Sequence, residues 1–469
     1  MKKLPGKIDL IAVKAKQDKK MKFTSLIHHF NVANLASCYR ELKRDKACGI
    51  DGVTVDGYGE NLEENLANLV ERLKRKQYRP QPVRRVLIPK PGKSEKRILG
   101  IPSVEDKLVQ LLMKKIIESI YEPMFLEFSY GFRPGRNCHQ AVNSLDKEVM
   151  QKPINCVVEV DIQRYFDNVQ HYWLLRCIEE RITDPNFIWL IKRFLKAGYV
   201  ESGAVHKTLE GTPQGGVISP LFANIYLHYV LDMWLSRVFK PKCRGYMVPI
   251  RYCDDFVVCF EYRKEAERFL SELKARLGKF GLTVSPEKTC IHPFGRQAWK
   301  RAKRYNLKLE TFNFLGFTHY CGTSRRGKFI VGHKTTKQNL HKSIRNVAIW
   351  LRKIRCMVPM REWWPILKAK LNGHYAYFGI SGNMRCIKQF YRQVISLIFK
   401  WQNRRSQKRS MNWQRFCNYL KWYPLPQPKI FVNLYTLSPI RVNATSKSPV
   451  RENCSQGSVG ALMAMKLEI

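Results

Sequence analysis

Between residues 156 and 320 short apolar runs of strand character alternate with longer stretches of helical periodicity. That alternation limits the chain to an α+β or α/β fold with its functional groups at strand ends. Cys156-Val-Val-Glu-Val-Asp161-Ile162 and Phe256-Val-Val-Cys-Phe260 read as strands, and residues 311–320 are strand-like. Residues 173–182, 187–195, 220–234 and 265–280 read as helices. Upstream, Leu62, Leu66, Leu69, Val70 and Leu73 recur at helical spacing, and the loop Gly49-Ile-Asp-Gly52 separates two helices. Residues 83–89 and 97–102 flank the turn Pro91-Gly-Lys93 as a basic β-hairpin, and residues 104–120 follow as an amphipathic helix.

Charge narrows the partners. The 469 residues suffice for about three domains. They carry 83 Lys+Arg against 38 Asp+Glu, a net charge of +45. With 45% hydrophobic residues the chain is no disordered polycation, so the excess covers a folded surface that repels itself unless a polyanion neutralises it. Nucleic acid is the first expectation and a membrane surface the second. No stretch approaches the roughly 18 apolar residues of a spanning helix, and the Lys-rich start lacks the apolar core of a signal peptide. A soluble, cytoplasmic protein is expected. The 14 cysteines include no Cys-x-x-Cys, which points to buried thiols instead of a zinc ribbon, redox motif or disulfide framework. Near Gly332 the composition shifts: residues 331–430 hold 21 Lys+Arg, a single acidic residue, Glu362, and six of the ten tryptophans. They read as a separate, mostly helical basic domain. Beyond residue 437 the absence of periodicity predicts a poorly ordered tail.

Two carboxylate clusters sit beside apolar strands. Asp161 ends one run, and Asp254-Asp255 stand between Tyr252-Cys253 and Phe256-Val257-Val258. Adjacent ionised carboxylates repel, a cost that a divalent cation offsets. Oxygen donors without His or Cys favour Mg²⁺ over zinc, and Mg²⁺ beside a basic surface points to phosphoryl transfer by two ions about 3.5–4 Å apart. Alone, an Asp-Asp pair in a turn is most often surface decoration.

Three segments in order change that weighting. Tyr252-Cys-Asp-Asp255 resembles the Tyr-x-Asp-Asp turn of reverse transcriptases, Asp161-Ile-Gln-Arg-Tyr-Phe-Asp167 their first catalytic strand, and Gly211-Thr-Pro-Gln-Gly-Gly216-Val-Ile-Ser-Pro220 their Pro-Gln-Gly segment. Gly49-Ile-Asp-Gly-Val-Thr54, Tyr78-Arg-Pro80, Ile88-Pro-Lys90, Lys96-Arg-Ile-Leu-Gly-Ile-Pro102, Phe128-Ser-Tyr-Gly-Phe-Arg-Pro134 and Phe312-Asn-Phe-Leu-Gly-Phe317 extend the likeness. The last looks like the primer-gripping strand. Over residues 31–435 the chain resembles the reverse transcriptase/maturase proteins encoded by group II introns.

The resemblance implies an α+β right-hand polymerase followed by an all-α thumb/maturase domain. A basic extension (1–22) would precede fingers (23–150) and palm (151–332), with helical thumb/maturase (333–400), a basic nucleic-acid-binding extension (401–436) and the tail (437–469) after them. It implies that Asp161, Asp254 and the Ile162 carbonyl hold two Mg²⁺ ions, with Asp255 either completing the acidic pocket or positioning its neighbour. Lys90 and Arg97 would contact the triphosphate, and Phe166 would exclude a 2′-hydroxyl. Gln214 would touch the nucleotide or template base, and Lys288 would protonate pyrophosphate. Arg404, Arg405, Lys408 and Arg409 read as a phosphate-contacting cluster. Expected partners are deoxynucleoside triphosphates, an RNA template, a DNA primer or target and the intron RNA, with the protein a monomer or dimer.

Cys253 stands where relatives most often have Ala, and the paired cysteines of the family's His-Asn-His nuclease are missing, so no endonuclease activity is expected. Two alternatives stay open. One is a free-standing enzyme put to repair or defence; the other is an RNA-binding splicing cofactor with little polymerase activity.

Overall fold

Val157, Val158 and Val160 have no exposed surface, the mark of a strand buried on both faces by β-branched side chains. In the computed structural model, which describes residues 8–89, 96–201, 204–206, 210–212, 215–405 and 411–434, their strand Cys156–Asp161 lies inside a four-stranded antiparallel sheet. The order is Met247–Tyr252, Asp255–Phe260, Cys156–Asp161, Cys290–Pro293. Alternation along each strand feeds two cores. Val158, Val160, Phe256 and Val258 pack with Leu108, Leu221 and Leu273 of three helices on one face. Val157, Ile250, Val257 and Cys259 meet Ala141, Leu145 and Val149 of the helix Cys138–Gln151 on the other.

The helices begin where local chemistry allows. Ser103 caps Val104–Tyr121 by accepting from the Asp106 amide, Asn137 and Gln140 form a reciprocal capping box, and Thr336 caps Lys337–Ile354. Ser219–Leu227 is α-helical, but residues 228–232 and 235–239 are π-helical. The single α-helix expected over 220–234 is therefore broken, and the first π segment ends on Asp232, a residue with a structural task described below.

The basic hairpin forms as expected from Val83–Pro89 and Lys96–Ile101, extended by Tyr199–Glu201 and Ala204–His206. Its turn, Lys90 included, lies outside the described residues, as do Gln214, Lys408, Arg409 and the chain after residue 434. The segment 311–320 is not one strand. Leu315 and Gly316 both take positive φ, 50° and 80°, and turn the chain between Phe312–Phe314 and Phe317–Thr323, which pairs in turn with Phe329–Thr335.

That last strand crosses the compositional break at Gly332, so the basic region grows out of this sheet instead of starting as a detached unit. Beyond it, helices Lys337–Ile354, Met360–Phe378, Met384–Gln402 and Trp413–Trp422 enclose their own core. Trp350, Trp363 and Trp364 are buried in it, whereas Trp413 and Trp422 are 50% and 83% exposed. At the other terminus the expected extension contains a docked helix: Ile8–Gln17 buries Ile8, Ile11 and Ala15. Buried Arg181 fastens the segment after this helix by donating to the carbonyls of Asp18, Lys19 and Met21. Among the described residues every cysteine is a free thiol and no helix is long and apolar enough to cross a membrane.

Candidate active site

Asp161 and Asp255 are register partners on neighbouring antiparallel strands, which sends both side chains to one face of the sheet. Asp254 stands in the two-residue loop between Met247–Tyr252 and Asp255–Phe260, closed by the pairing of Tyr252 with Asp255. Cys253, the other loop residue, takes a left-handed φ of 61°, a conformation that side-chain-bearing residues adopt only when their surroundings hold it.

Those surroundings are unusual for a sheet interior. Arg251, 1% exposed, donates from Nε and Nη2 to the two Asp232 oxygens at 2.7 and 2.5 Å. It donates from Nη1 to Asn224 Oδ1 and the Cys253 carbonyl at 3.0 Å each, and from Nη2 to Ser129 Oγ at 2.8 Å. Burial opposes the guanidinium's charge, but the Asp232 carboxylate more than offsets it. The segment around Ser129 then lies along the edge of the sheet: the Arg251 amide donates to the Phe128 carbonyl and the Tyr130 amide to the Arg251 carbonyl, both at 2.8 Å. Asn224 Nδ2 donates to the Gly131 carbonyl at 2.6 Å. A Cβ at Gly131 would stand 2.5 Å from the Cys253 nitrogen, so only glycine lets this segment lie against the loop.

Electrostatically the pocket is over-supplied with negative charge. Burial, then Asp254, then Glu159 and Asp161, push the Asp255 carboxyl up to about 8. Lys288 Nζ sits 2.8 Å from Asp161 Oδ2 in an exposed ion pair, an ammonium standing where a cation is wanted. The bridge between Ile162 and Val284 is closed by bonds from the Gln163 amide to the Thr283 carbonyl and from the Ser285 amide to the Asp161 carbonyl. Those bonds leave the Ile162 carbonyl uninvolved. An all-oxygen donor set with surplus negative charge fits a hard divalent cation.

Phe166 lies in the short helix Tyr165–Asp167, half-buried and edge-on to Tyr165 at 5.4 Å between centroids. Its carbonyl accepts from the Thr212 amide at 2.8 Å, which ties it to the Pro-Gln-Gly segment. At the far side of that segment Gly215, with φ 110°, closes onto the Gly100 carbonyl of the basic hairpin, an approach any Cβ would block. Backbone contacts at Thr212 and Gly215 thus reach the neighbourhoods of Phe166 and of the hairpin strand that carries Arg97. Arg97 is in register with Ile88; of its side chain nothing is described. Arg404 and Arg405 are exposed just past the end of the helix Met384–Gln402. Arg404 lies 5.9 Å from the ring of Trp401, around which Arg355 and Lys400 also gather at 4.8 and 5.4 Å.

Arg251, Asp232 and Asn224 of the supporting network escape the motif reading, whereas Ser129 and Gly131 fall inside the motif over residues 128–134 without an assigned task. Two signals were available: Arg251 directly after Ile250 in a buried strand, and Asp232 among Val230, Leu231 and Trp234, lone charges in apolar company. Removing one partner of a buried pair leaves the other uncompensated. Arg251→Met is therefore expected to lower the free energy of unfolding by about 3–5 kcal/mol in urea denaturation; a loss below about 1 kcal/mol would mean that the pair does not anchor the loop.

Residues 88–319 match the family described as reverse transcriptase (RNA-dependent DNA polymerase). The group II intron-encoded protein LtrA of Lactococcus lactis subsp. cremoris is 45% identical over 193 residues, 40% of this chain and 31% of that protein. Protein YkfC of Escherichia coli is 34% identical over 273 residues, 52% of this chain and 71% of the relative. Nuclear intron maturase 4 of Arabidopsis thaliana, a mitochondrial protein, is 29% identical over 140 residues, 28% of this chain and 16% of that one. The match spans about a third of the length of the Lactococcus protein. Taken with the register of the carboxylates, these likenesses establish that the chain belongs to the group II intron-encoded reverse transcriptase/maturase family.

Proposed function

We propose that the protein is an RNA-directed DNA polymerase that also binds intron RNA as a maturase, supporting splicing and retrohoming. The observation that carries this reading is the in-register pair Asp161 and Asp255 with Asp254 on the adjoining loop. Under this reading the fingers, palm and thumb are the divisions that the resemblance implies, with the palm extended to residue 335 so that the strand Phe329–Thr335 stays whole.

Asp161, Asp254 and the Ile162 carbonyl would hold Mg²⁺, with Asp255 adding charge behind them. Bound there, two such ions supply Lewis acidity, lowering the pKa of the primer 3′-hydroxyl and neutralising the leaving pyrophosphate. The chain's own groups do the rest. Phe166, fixed through its carbonyl to Thr212, presents its ring to the sugar and rejects a 2′-hydroxyl. Gln214 would touch the nucleotide or template base, and Lys90 and Arg97 would take the triphosphate as a point charge and a bidentate clamp. Lys288, whose ammonium lies 2.8 Å from Asp161 Oδ2, would deliver a proton to the leaving pyrophosphate.

Changing both Asp254 and Asp255 to Ala should reduce extension of a DNA primer on an RNA template by about 10³-fold or more while sparing binding of intron RNA. Primer extension at the normal rate would overturn the metal assignment; loss of RNA binding as well would mean that the substitutions had unfolded the chain.

The RNA-binding half of the reading rests on the basic helices beyond residue 336. Arg355, Lys400 and Arg404 surround the half-buried Trp401, and the exposed Trp413 and Trp422 offer stacking faces. Replacing Arg404, Arg405, Lys408 and Arg409 with Ala should weaken RNA binding and flatten the slope of log affinity against log salt by about 3. An unchanged slope would remove these four from the interface.

A further inference from the structure

Asp146, His319 and His333 meet where the helix Cys138–Gln151 packs against the strands Phe317–Thr323 and Phe329–Thr335, and none of the three has any exposed surface. His319 and His333 are cross-strand register partners, so their rings leave the sheet on one face, 4.9 Å apart between centroids. His333 Nε2 lies 3.0 Å from Asp146 Oδ1, and its Nδ1 lies 3.3 Å from the Ser381 carbonyl. A carbonyl only accepts, so Nδ1 carries the hydrogen and Nε2 is the nitrogen turned to the carboxylate. A backbone carbonyl fixing one ring nitrogen while the other faces inward is the arrangement of a metal-ligating histidine.

Hydrogen bonding within the group is incomplete. Asp146 Oδ2 has no partner, and neither ring nitrogen of His319 closes a hydrogen bond of normal geometry, although the Phe314 carbonyl faces the ring. Buried polar atoms without partners are rare in folded proteins, and an ion is one of the few things that satisfies them. One donor atom from each residue lies within 4.8 Å of the other two. Ligands 2.0–2.2 Å from a tetrahedral ion stand roughly 3.3 Å apart. The His333–Asp146 pair at 3.0 Å is close to that spacing, and the His319 donor, within 4.8 Å of both, would have to draw in by about 1–1.5 Å to complete the set. Two imidazoles and a carboxylate make a zinc donor set, in contrast to the all-oxygen pocket that suits Mg²⁺.

Position gives such a site a purpose. Ser381 lies between the helices Met360–Phe378 and Met384–Gln402. Two residues on, Asn383 exchanges hydrogen bonds of 2.8 Å with Thr335 at the end of the His333 strand. Ser381 in turn bonds the Val432 carbonyl through its amide at 3.1 Å. An ion here would join the helix Cys138–Gln151, two strands and, through Ser381, the C-terminal helices. We propose that Asp146, His319 and His333 form a three-ligand zinc site, independent of the proposed catalytic carboxylates, that locks the basic C-terminal helices to the sheet.

The test uses the full-length protein, stripped with a chelator, desalted and titrated with Zn²⁺, beside His319→Phe and Asp146→Asn. Phenylalanine keeps the ring stacked on Phe312 but removes both ring nitrogens. The unmodified protein should bind one more zinc equivalent than either variant. Its melting temperature should rise by about 4 °C or more at a hundredfold excess over Kd, with no such rise in the variants and none from Mg²⁺. Co²⁺ in the site should show nitrogen- and oxygen-type absorption without thiolate charge-transfer bands, which separates it from binding at the free cysteines and holds even if a variant fails to fold. Equal zinc stoichiometry and thermal response in all three proteins, or a thiolate spectrum only, would overturn the proposal.

Discussion

The geometry of the carboxylate site depends on a charge buried beneath it. Three carboxylates brought together by two strands and a tight loop repel one another, and the Tyr252–Asp255 pairing that closes the loop needs a second group to hold it against that repulsion. Arg251 is that group, holding the Cys253 carbonyl and Asn224 Oδ1 through Nη1 while Asp232 and Ser129 accept from Nε and Nη2. A buried ion pair is a weak source of net stability, because desolvation cancels most of the attraction. Its value here is positional. The five donors of a planar guanidinium fix the loop relative to the π-helical turn that carries Asp232 and the edge segment that carries Ser129, so three distant stretches of chain must all be folded before the carboxylates converge.

The same network gives a physical meaning to one of the sequence motifs. Phe128-Ser-Tyr-Gly-Phe-Arg-Pro134 holds no group that takes part in the proposed chemistry. It lies beside the catalytic loop because Ser129 accepts from Arg251 and because Gly131 lets the backbones approach. Arg133 then braces the segment from below through Glu122 and the Leu126 and Ser129 carbonyls. A motif that reads as catalytic company is a buttress.

The carboxylate site was legible in the sequence to the extent that it rests on local pattern. Apolar runs of β-branched residues marked Cys156–Asp161 and Asp255–Phe260 as strands, and carboxylates at their ends marked the pocket. Less legible were features set by tertiary contact. The break at Leu315–Gly316 turns one expected strand into a hairpin, because a left-handed Leu is not a pattern that propensity anticipates. The π-helical stretch after Leu227 reads as ordinary helix, since its apolar residues satisfy either period. The compositional shift at Gly332 is real, but charge follows the surface while strand pairing follows the core, and the strand Phe329–Thr335 belongs to both. Asp146, His319 and His333 are far apart in sequence and conform to no ligand spacing; only strand register and a crossing helix unite them.

Charge on this chain is therefore partitioned by task. A net +45 covers the surface and concentrates on the C-terminal helices, while a small pocket of opposite sign, with one carboxyl pushed up to about 8, is the proposed cation site. The most direct measurement of that claim is the binding of Mn²⁺, a paramagnetic substitute for Mg²⁺, followed by electron paramagnetic resonance in the unmodified protein and in Asp161→Asn. The account predicts bound Mn²⁺ in the unmodified protein that the substitution removes. Equal numbers of bound ions with equal affinity in both proteins would contradict it.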